Sequence, residues 1–349
     1  MTITRWAVAP RWLARAVLFG LVLLIGYGAR QSWRTPLRPR SPSAAGTNTD
    51  VDVYRRIADR VRDGEPYYTV AAAELAAAGF PTRSVFNFRL PTLAWLLGAL
   101  PSDRAGQALL VGLAALTLIL WFATLWQRES LAIALAGSGL LLGLLAWPAL
   151  DDAYLVHDLW AGVLIALSLV ALGRGWFAAS IAAGAAALFV RELSLLYVCL
   201  AAANALADKR HRHAVAWAVV IVVFGLVLIA HAKAVAAFGL GAVGTAGATS
   251  WLRFGGWEFV LKTALMNAWL IAMPPVLVAV ILPVALLGLT GWRDSPGTQV
   301  ATTVLAYVAA FLVVGQTFNH LWGFLYVGPA LMGLAFAPAA LRDLWRRAW

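Results

Sequence analysis

Asp50 and Asp52 head the stretch DVDVYRRIADRVRDG, where a helical reading sends them to different faces. Tyr54, Ile57, Ala58 and Val61 recur at the i, i+3, i+4, i+7 spacing of one apolar face, and Asp50, four residues before Tyr54, falls on it. A carboxylate on such a face needs a reason, because desolvating it is costly and perturbed carboxylates gather at working sites. The helix dipole favours any first-turn carboxylate, so a structural reading of Asp50 stands beside the functional one. Asp52 lines up instead with Arg56, Asp59, Arg60 and Asp63 on the charged side, where i, i+4 pairs form easily. With Thr49 as N-cap it also takes the N3 place of a capping box, which is a sufficient structural explanation.

Further ionisable groups interrupt apolar runs elsewhere. His157 and Asp158 open HDLWAG, Arg191 and Glu192 divide LFVRELSLLYV, His231 and Lys233 close a long run, and Gln316, Asn319 and His320 lie together in QTFNHLWG. Charges at helix depth in a membrane are costly and are either functional or paired. Taken singly, Arg191–Glu192 reads equally well as a polar cap on a tight turn, and His320 as a satisfied interfacial histidine. Loops far apart in sequence nevertheless deliver these groups to one membrane face, and that convergence favours a site.

The elements that position them are membrane helices. Of 349 residues 62% are hydrophobic and 12% charged, about half the charged fraction of a soluble domain. Runs such as AVAWAVVIVVFGLVLIA are continuously apolar rather than alternating, which selects helices over a membrane barrel. The fold class is an all-α polytopic membrane protein, one integral domain over 1–349, with a long first outer loop at 30–104 and the remaining bundle at 105–349. Apolar runs predict about ten transmembrane helices, near 12–29, 105–126, 130–149, 158–173, 175–190, 192–207, 214–234, 268–291, 299–317 and 322–340, with Pro274, Pro275 and Pro283 kinking the eighth. The first run is long for a signal peptide and reads as an uncleaved helix behind Arg5, Arg11 and Arg15.

With the N-terminus cytoplasmic, Arg128, Arg174, DKRHRH at 208–213, Arg293 and RDLWRRAW all fall inside, as the positive-inside rule requires. The 30–104 loop, DDAYLVHD, the Arg191–Glu192 turn, the Gly-rich 235–256 segment and QTFNHLWG fall outside. The expected location is a bacterial inner membrane, multi-pass, with both termini cytoplasmic. The net charge of +11 is then largely topological, and membrane lipids rather than nucleic acid are the expected partners. Cys199, the only cysteine, reads as a small packing residue buried in an apolar helix. No internal repeat is apparent, which removes the best sequence support for an inverted-repeat transporter.

Inside the long loop, Gly64 closes the Asp50–Asp63 helix, and GEPYY opens a short Ala-rich helix ended by Gly79. The extended piece FPTRSVFNFR leads to LPTLAWLLGALP, which is too short to span and reads as an interfacial or re-entrant helix with Pro91 in its first turn. Tyr67, Tyr68, Phe86, Phe88 and Trp95 suit an aromatic belt as well as a platform for a sugar or lipid.

A single helix, then an outer loop opening D..vY..ia..v..Ge.YY, then FRLPTL, short-looped spans and the HDLWAG and VRE segments together resemble the GT-C superfamily of polytopic glycosyltransferases. The nearest branches are family 87 and the polyprenyl-phosphate-mannose-dependent type, and the likeness is concentrated in residues 45–105. The resemblance implies inverting transfer of a sugar from a polyprenyl-phosphate-linked donor to a lipid or glycan acceptor at the periplasmic face. It implies that the first-loop aspartate, Asp50 rather than Asp52, is the general base on the acceptor hydroxyl. The lipid-phosphate leaving group then needs cations or hydrogen bonds, for which Arg191, Arg89, His320 and Lys233 are candidates in that order. Glu192 orients Arg191 or binds a sugar hydroxyl, with His157, Asp158 and Tyr54 completing the binding groups. The phosphate is already a tolerable leaving group, so no metal or other cofactor is required. The chain departs from larger members in its shortness and in ending straight after its last span, which favours a lipid or glycan acceptor over a protein. The Gly-rich 235–256 segment serves either as a lid or as an ordinary connection. A transporter or flippase of a lipid-linked or small polar substrate, and a non-catalytic partner subunit of GT-C type, are the competing readings.

Overall fold

The computed structural model describes residues 4–34, 50–80, 85, 87–238, 253–316 and 318–349. Thr49, Phe86 and most of the Gly-rich 235–256 segment lie outside the described residues, so the N-cap, platform and lid expectations for them do too. Every regular element among the described residues is helical. In chain order the α-helices are α1 (Arg11–Arg34), α2 (Asp50–Arg62), α3 (Tyr67–Ala77), α4 (Thr92–Ala99), α5 (Asp103–Arg128), α6 (Leu131–Leu145), α7 (His157–Gly173), α8 (Phe177–Val190), α9 (Leu195–Ala207) and α10 (His211–Ala237). After them come α11 (Gly256–Ala264), α12 (Ala268–Ile271), α13 (Pro275–Gly291), α14 (Ser295–Val313), α15 (Val327–Met332) and α16 (Ala337–Ala348).

Among the described residues four helices, α1, α5, α10 and α14, are long and apolar enough to cross a membrane. Five shorter apolar stretches, at α6, α7, α8, α9 with its preceding turn, and α13, are 10–17 residues long. Two expected spans are not continuous. The eighth breaks between α12 and α13, where Pro274 and Pro275 remove consecutive backbone donors and Pro275 starts the new helix. The tenth is a chain of short turns, a 3-10 stretch His320–Leu325, then α15, a second 3-10 turn Gly333–Ala335, and α16. Gly323, Gly328, Pro329, Gly333 and Pro338 explain it, since both residue types weaken a helix interior.

α7 is buried round its whole circumference and forms the axis of the molecule, packed on α5, α8 and the His320–Leu325 turn. Trp121 of α5 donates its indole N–H to the Ala166 carbonyl at 3.0 Å, and Trp160 donates to the Tyr154 carbonyl at 2.6 Å. Both large rings thereby enter the core with their polar atoms satisfied. Cys199 differs from expectation: its helix turns it outward, exposed. At one end of the bundle the basic loops meet. Arg5 reaches the Arg293 carbonyl at 3.4 Å, and Arg128 reaches the Gly173 carbonyl at 2.8 Å and the Asp294 carboxylate at 3.6 Å.

The opposite end carries α2, α3 and α4. Val53, Ile57, Tyr67, Val70, Leu75 and Phe88 make a small core of their own there. On α2 the deepest residues are Val53, Ile57 and Ala58, with Tyr54 and Val61 half-buried beside them. Gly64 and Gly79 close α2 and α3 at φ 92° and 76°, a left-handed conformation that glycine adopts without penalty. Pro91 caps α4 from the N-cap position rather than sitting within its first turn. The arginines of α2 reach across to neighbours, and Arg62 also pairs along the helix with Asp59 at 2.9 Å. Arg56 and Arg60 hold Glu74 of α3 at 2.6 and 2.9 Å, Arg62 holds Asp103 at 2.6 Å, and Arg55 pairs with Asp152. The two Glu74 pairs join α2 to α3, and Arg55 and Arg62 tie this sub-layer to the start of α5 and to the turn before α7.

Candidate functional site

The polar groups that interrupt the apolar runs come together under α2. Arg191, at the end of α8, is 2% exposed and donates from Nε to Asp158 Oδ1 at 2.7 Å. Its Nη1 meets Glu192 Oε1, and that same oxygen accepts from Arg89 Nη1 at 3.3 Å. Arg89 Nε in turn donates to the Tyr54 hydroxyl at 3.2 Å, and the Tyr54 ring stands edge-on to His157 with centroids 4.7 Å apart. Five separate segments (α2, the approach to α4, the start of α7, the end of α8 and the turn after it) are therefore joined in one chain, Tyr54–Arg89–Glu192–Arg191–Asp158. Arg191 is the pivot, and a guanidinium so deep survives only because two carboxylates share it.

Asp50 sits at the mouth of this network. It remains exposed, so that a solute can reach it. It is nevertheless crowded enough that burial, helped by Asp158, outweighs the opposing pull of Arg89, His320 and Arg191, and its carboxyl lies above the usual range. Asp52, two residues on and about 200° round the helix, is exposed on another side. His320 feels the charges of Asp50 and Asp158, but burial prevails and holds it below the ordinary histidine value. It is therefore a neutral hydrogen-bonding group near neutrality rather than the expected cation. Burial works against the Arg89 charge, yet Tyr54, Glu192 and Asp158 more than offset it, so its pKa rises.

The backbone that carries Arg89 is clamped. The Tyr67 hydroxyl donates to the Arg89 carbonyl at 2.5 Å, and His231 Nε2 lies 2.9 Å from the Phe88 carbonyl. A carbonyl can only accept, so Nε2 carries the proton, and Nδ1 accepts from the Tyr68 hydroxyl at 3.0 Å. Beneath α2 a cleft of about 390 Å³, partly open to solvent, is lined on its apolar side by Ile57, Ala58, Ala71, Leu75, Leu93 and Leu97. Its polar side is lined by Tyr54, Asn87, Arg89 and His157.

Two of the expected cations are placed apart from a ligand's reach. Arg191 is sealed in by its two carboxylates, its side chain 2% exposed, whereas the Arg89 side chain is 19% exposed. Lys233 is exposed on α10 and joins none of these contacts, because the residue that α10 turns inward there is His231, 3% exposed. Lys262, whose charge reaches His320 and which pairs with Glu258 at 2.8 Å, was missed. Its i, i+4 spacing from Glu258 in an apolar stretch was the available signal. No protein-family model matches the chain, nor does any curated protein or solved structure.

Proposed function

We propose that the chain is a membrane glycosyltransferase of GT-C type, taking a sugar from a polyprenyl-phosphate donor and passing it to a lipid or glycan acceptor at the periplasmic face. The ten-span topology with both ends in the bacterial cytoplasm belongs to the same proposal. The observation that carries it is the convergence of Asp50, Arg89, Asp158, Arg191 and His320 at one end of the bundle, beside a cleft that is apolar along one side and cationic at the other. An amphipathic donor fits that division, with its prenyl chain along Leu93, Leu97 and Ile57 and its phosphate at Arg89.

Asp50 has the attributes of a general base. It is accessible, its carboxyl is raised toward neutrality, and it lies where both donor and acceptor can approach. In inverting transfer it removes the acceptor hydroxyl proton as that oxygen attacks the anomeric carbon, while the C–O bond to the lipid phosphate breaks and the phosphate leaves with the electron pair. Arg89 meets the charge that develops on the leaving oxygen, and Arg191, through Glu192, keeps Arg89 in place. Charges near one end of the helices, rather than at mid-depth, favour this reading over a transporter.

The test is Asp50→Asn in a strain lacking the native copy, with membrane levels checked and envelope glycans and lipid-linked sugars analysed. Loss of the product with accumulation of the donor is expected, whereas Asp52→Asn retains it. Full restoration by a normally expressed Asp50→Asn protein ends the general-base assignment.

A further inference from the structure

The chain between α3 and α4 carries Arg89 to the cleft without helical hydrogen bonds of its own, since α3 ends at Ala77 and α4 starts at Thr92. Phe88 and Leu90, on either side of Arg89, are 1% and 3% exposed, and Pro91 has no N–H to offer. Carbonyls in so buried a stretch must find donors on other elements, because one sealed from water and left unmet is costly. The Tyr67 hydroxyl of α3 donates to that of Arg89 at 2.5 Å, and His231 Nε2–H of α10 donates to that of Phe88 at 2.9 Å.

The second of these donors comes from a helix that otherwise meets the bundle through apolar groups. The buried residues of α10 are Ala214, Trp217, Phe224 and His231, the last three a heptad apart along one stripe. His231, 3% exposed, is the polar member of that stripe. A leucine there would continue the packing, so the choice of histidine answers to its hydrogen bonds. Both ring nitrogens are used: Nδ1 accepts from the Tyr68 hydroxyl at 3.0 Å, which leaves the proton on Nε2, where the Phe88 carbonyl needs it. The bonds from the Arg89 guanidinium are longer, 3.2 Å to Tyr54 and 3.3 Å to Glu192, so the closely held backbone does much to set where the charge sits.

We infer that His231 is a positioning residue for the lipid phosphate: through the Phe88 carbonyl it holds Arg89 at the polar side of the cleft. The inference rests on the reading of that cleft as the seat of a polyprenyl phosphate. His231 does not itself line the cleft, and its bonds end on the Phe88 backbone and on Tyr68, so it acts on a ligand only through Arg89. A cation shifted by about 1 Å loses much of its hold on a phosphate, which is why support at one remove matters. The bridge also makes α10 part of the site, although none of its residues lines the cleft.

The experiment titrates the full chain, purified in detergent, with a polyprenyl phosphate carrying no sugar and with the matching polyprenol, and reads the midpoint of the saturable rise in unfolding temperature. The native chain should saturate with the phosphate and not with the alcohol, and Arg89→Met should not respond to either. His231→Leu should raise the midpoint about tenfold, on the order of one hydrogen bond, whereas His231→Gln, whose side-chain N–H can reach the same carbonyl, should stay within about threefold. Tyr68→Phe, which leaves the Phe88 bond in place but no longer fixes the tautomer, should move it the same way by less. Asp343→Asn weakens the hold on Thr4 at the opposite end and should lower the unfolding temperature without moving the midpoint, which separates lost stability from lost placement. Equal losses in His231→Leu and His231→Gln, or a matching loss in Asp343→Asn, would reduce His231 to packing and overturn the inference. So would a His231→Leu chain that binds like the native one. A native chain that ignores the polyprenyl phosphate, or an Arg89→Met chain that binds it equally well, would instead overturn the reading of the cleft, and the role of His231 with it.

Discussion

Replacing Asp158 by asparagine leaves the Arg191 guanidinium with one carboxylate instead of two. Water cannot take the vacated place, because the Arg191 and Asp158 side chains are 2% and 6% exposed. Breaking a buried ion pair outright costs about 3–5 kcal/mol. Here Glu192 still holds Nη1 and the asparagine keeps one acceptor oxygen, so the loss falls to that of a charged hydrogen bond, about 1.5–3 kcal/mol. At roughly 2 °C per kcal/mol, the lower end for large chains, unfolding in detergent should come about 3–6 °C earlier. Arg191→Met should cost more, since it strands Asp158 without a partner. The double variant Asp158→Asn with Arg191→Met removes both ions and should lie closer to the native protein than the two single losses added together, by more than about 1 kcal/mol. Strict additivity, or an Asp158→Asn protein that unfolds with the native one, would refute the network.

The other expectations follow from single contacts. Arg89→Lys keeps the charge but cannot bridge Tyr54 and Glu192 together, so donor use should fall about 10- to 100-fold, as expected for losing about 1.4–2.7 kcal/mol of positioning, with stability little changed; native turnover in a membrane assay would contradict it. Asp50 works ionised and its carboxyl is raised, so activity should fall on acidification at a pH above the ordinary carboxylate value, and Asp52→Asn, which keeps activity, should keep that limb unmoved. The linked stability effect has the opposite sign: the folded chain holds this proton more tightly than the unfolded one, so the cost of ionising Asp50 is relieved as the pH falls through its folded value. Lys233→Ala should leave product formation within about twofold of native, as for an exposed residue clear of the site; a larger loss would return Lys233 to the list of ligand cations.

Much of the architecture was legible because membrane helices write themselves in long apolar runs. The α2 face, the glycine stops at Gly64 and Gly79, and the separation of basic loops from the acidic end follow from local composition and spacing. Helical geometry does put Asp50 and Asp52 on different sides of α2, but both are exposed, so the inward placement expected for Asp50 is not what the helix shows. Partnership was not legible. Nothing in VRE says that Arg191 takes Asp158, thirty-three positions earlier, and is closed off from ligand, because that depends on how α7 and α8 cross. Nor does spacing reveal which of His231 and Lys233 α10 turns inward. Apolar content alone also hid the broken final segment, whose glycines and prolines carry the signal that hydropathy averages away.

That broken segment bears on which positions can drift over evolutionary time. A methyl group at Gly323 would run into the Thr263 carbonyl, one at Gly333 into the Ala285 carbonyl, and one at Gly162 into the Phe324 carbonyl. Gly288 meets Gly333 in the same way. Backbone therefore lies directly on backbone along this seam, and no side-chain adjustment can make room. The stretch that looks least regular is consequently the one with the narrowest choice of residues, while the long, regular α10 exposes much of its length and tolerates almost any apolar substitution there.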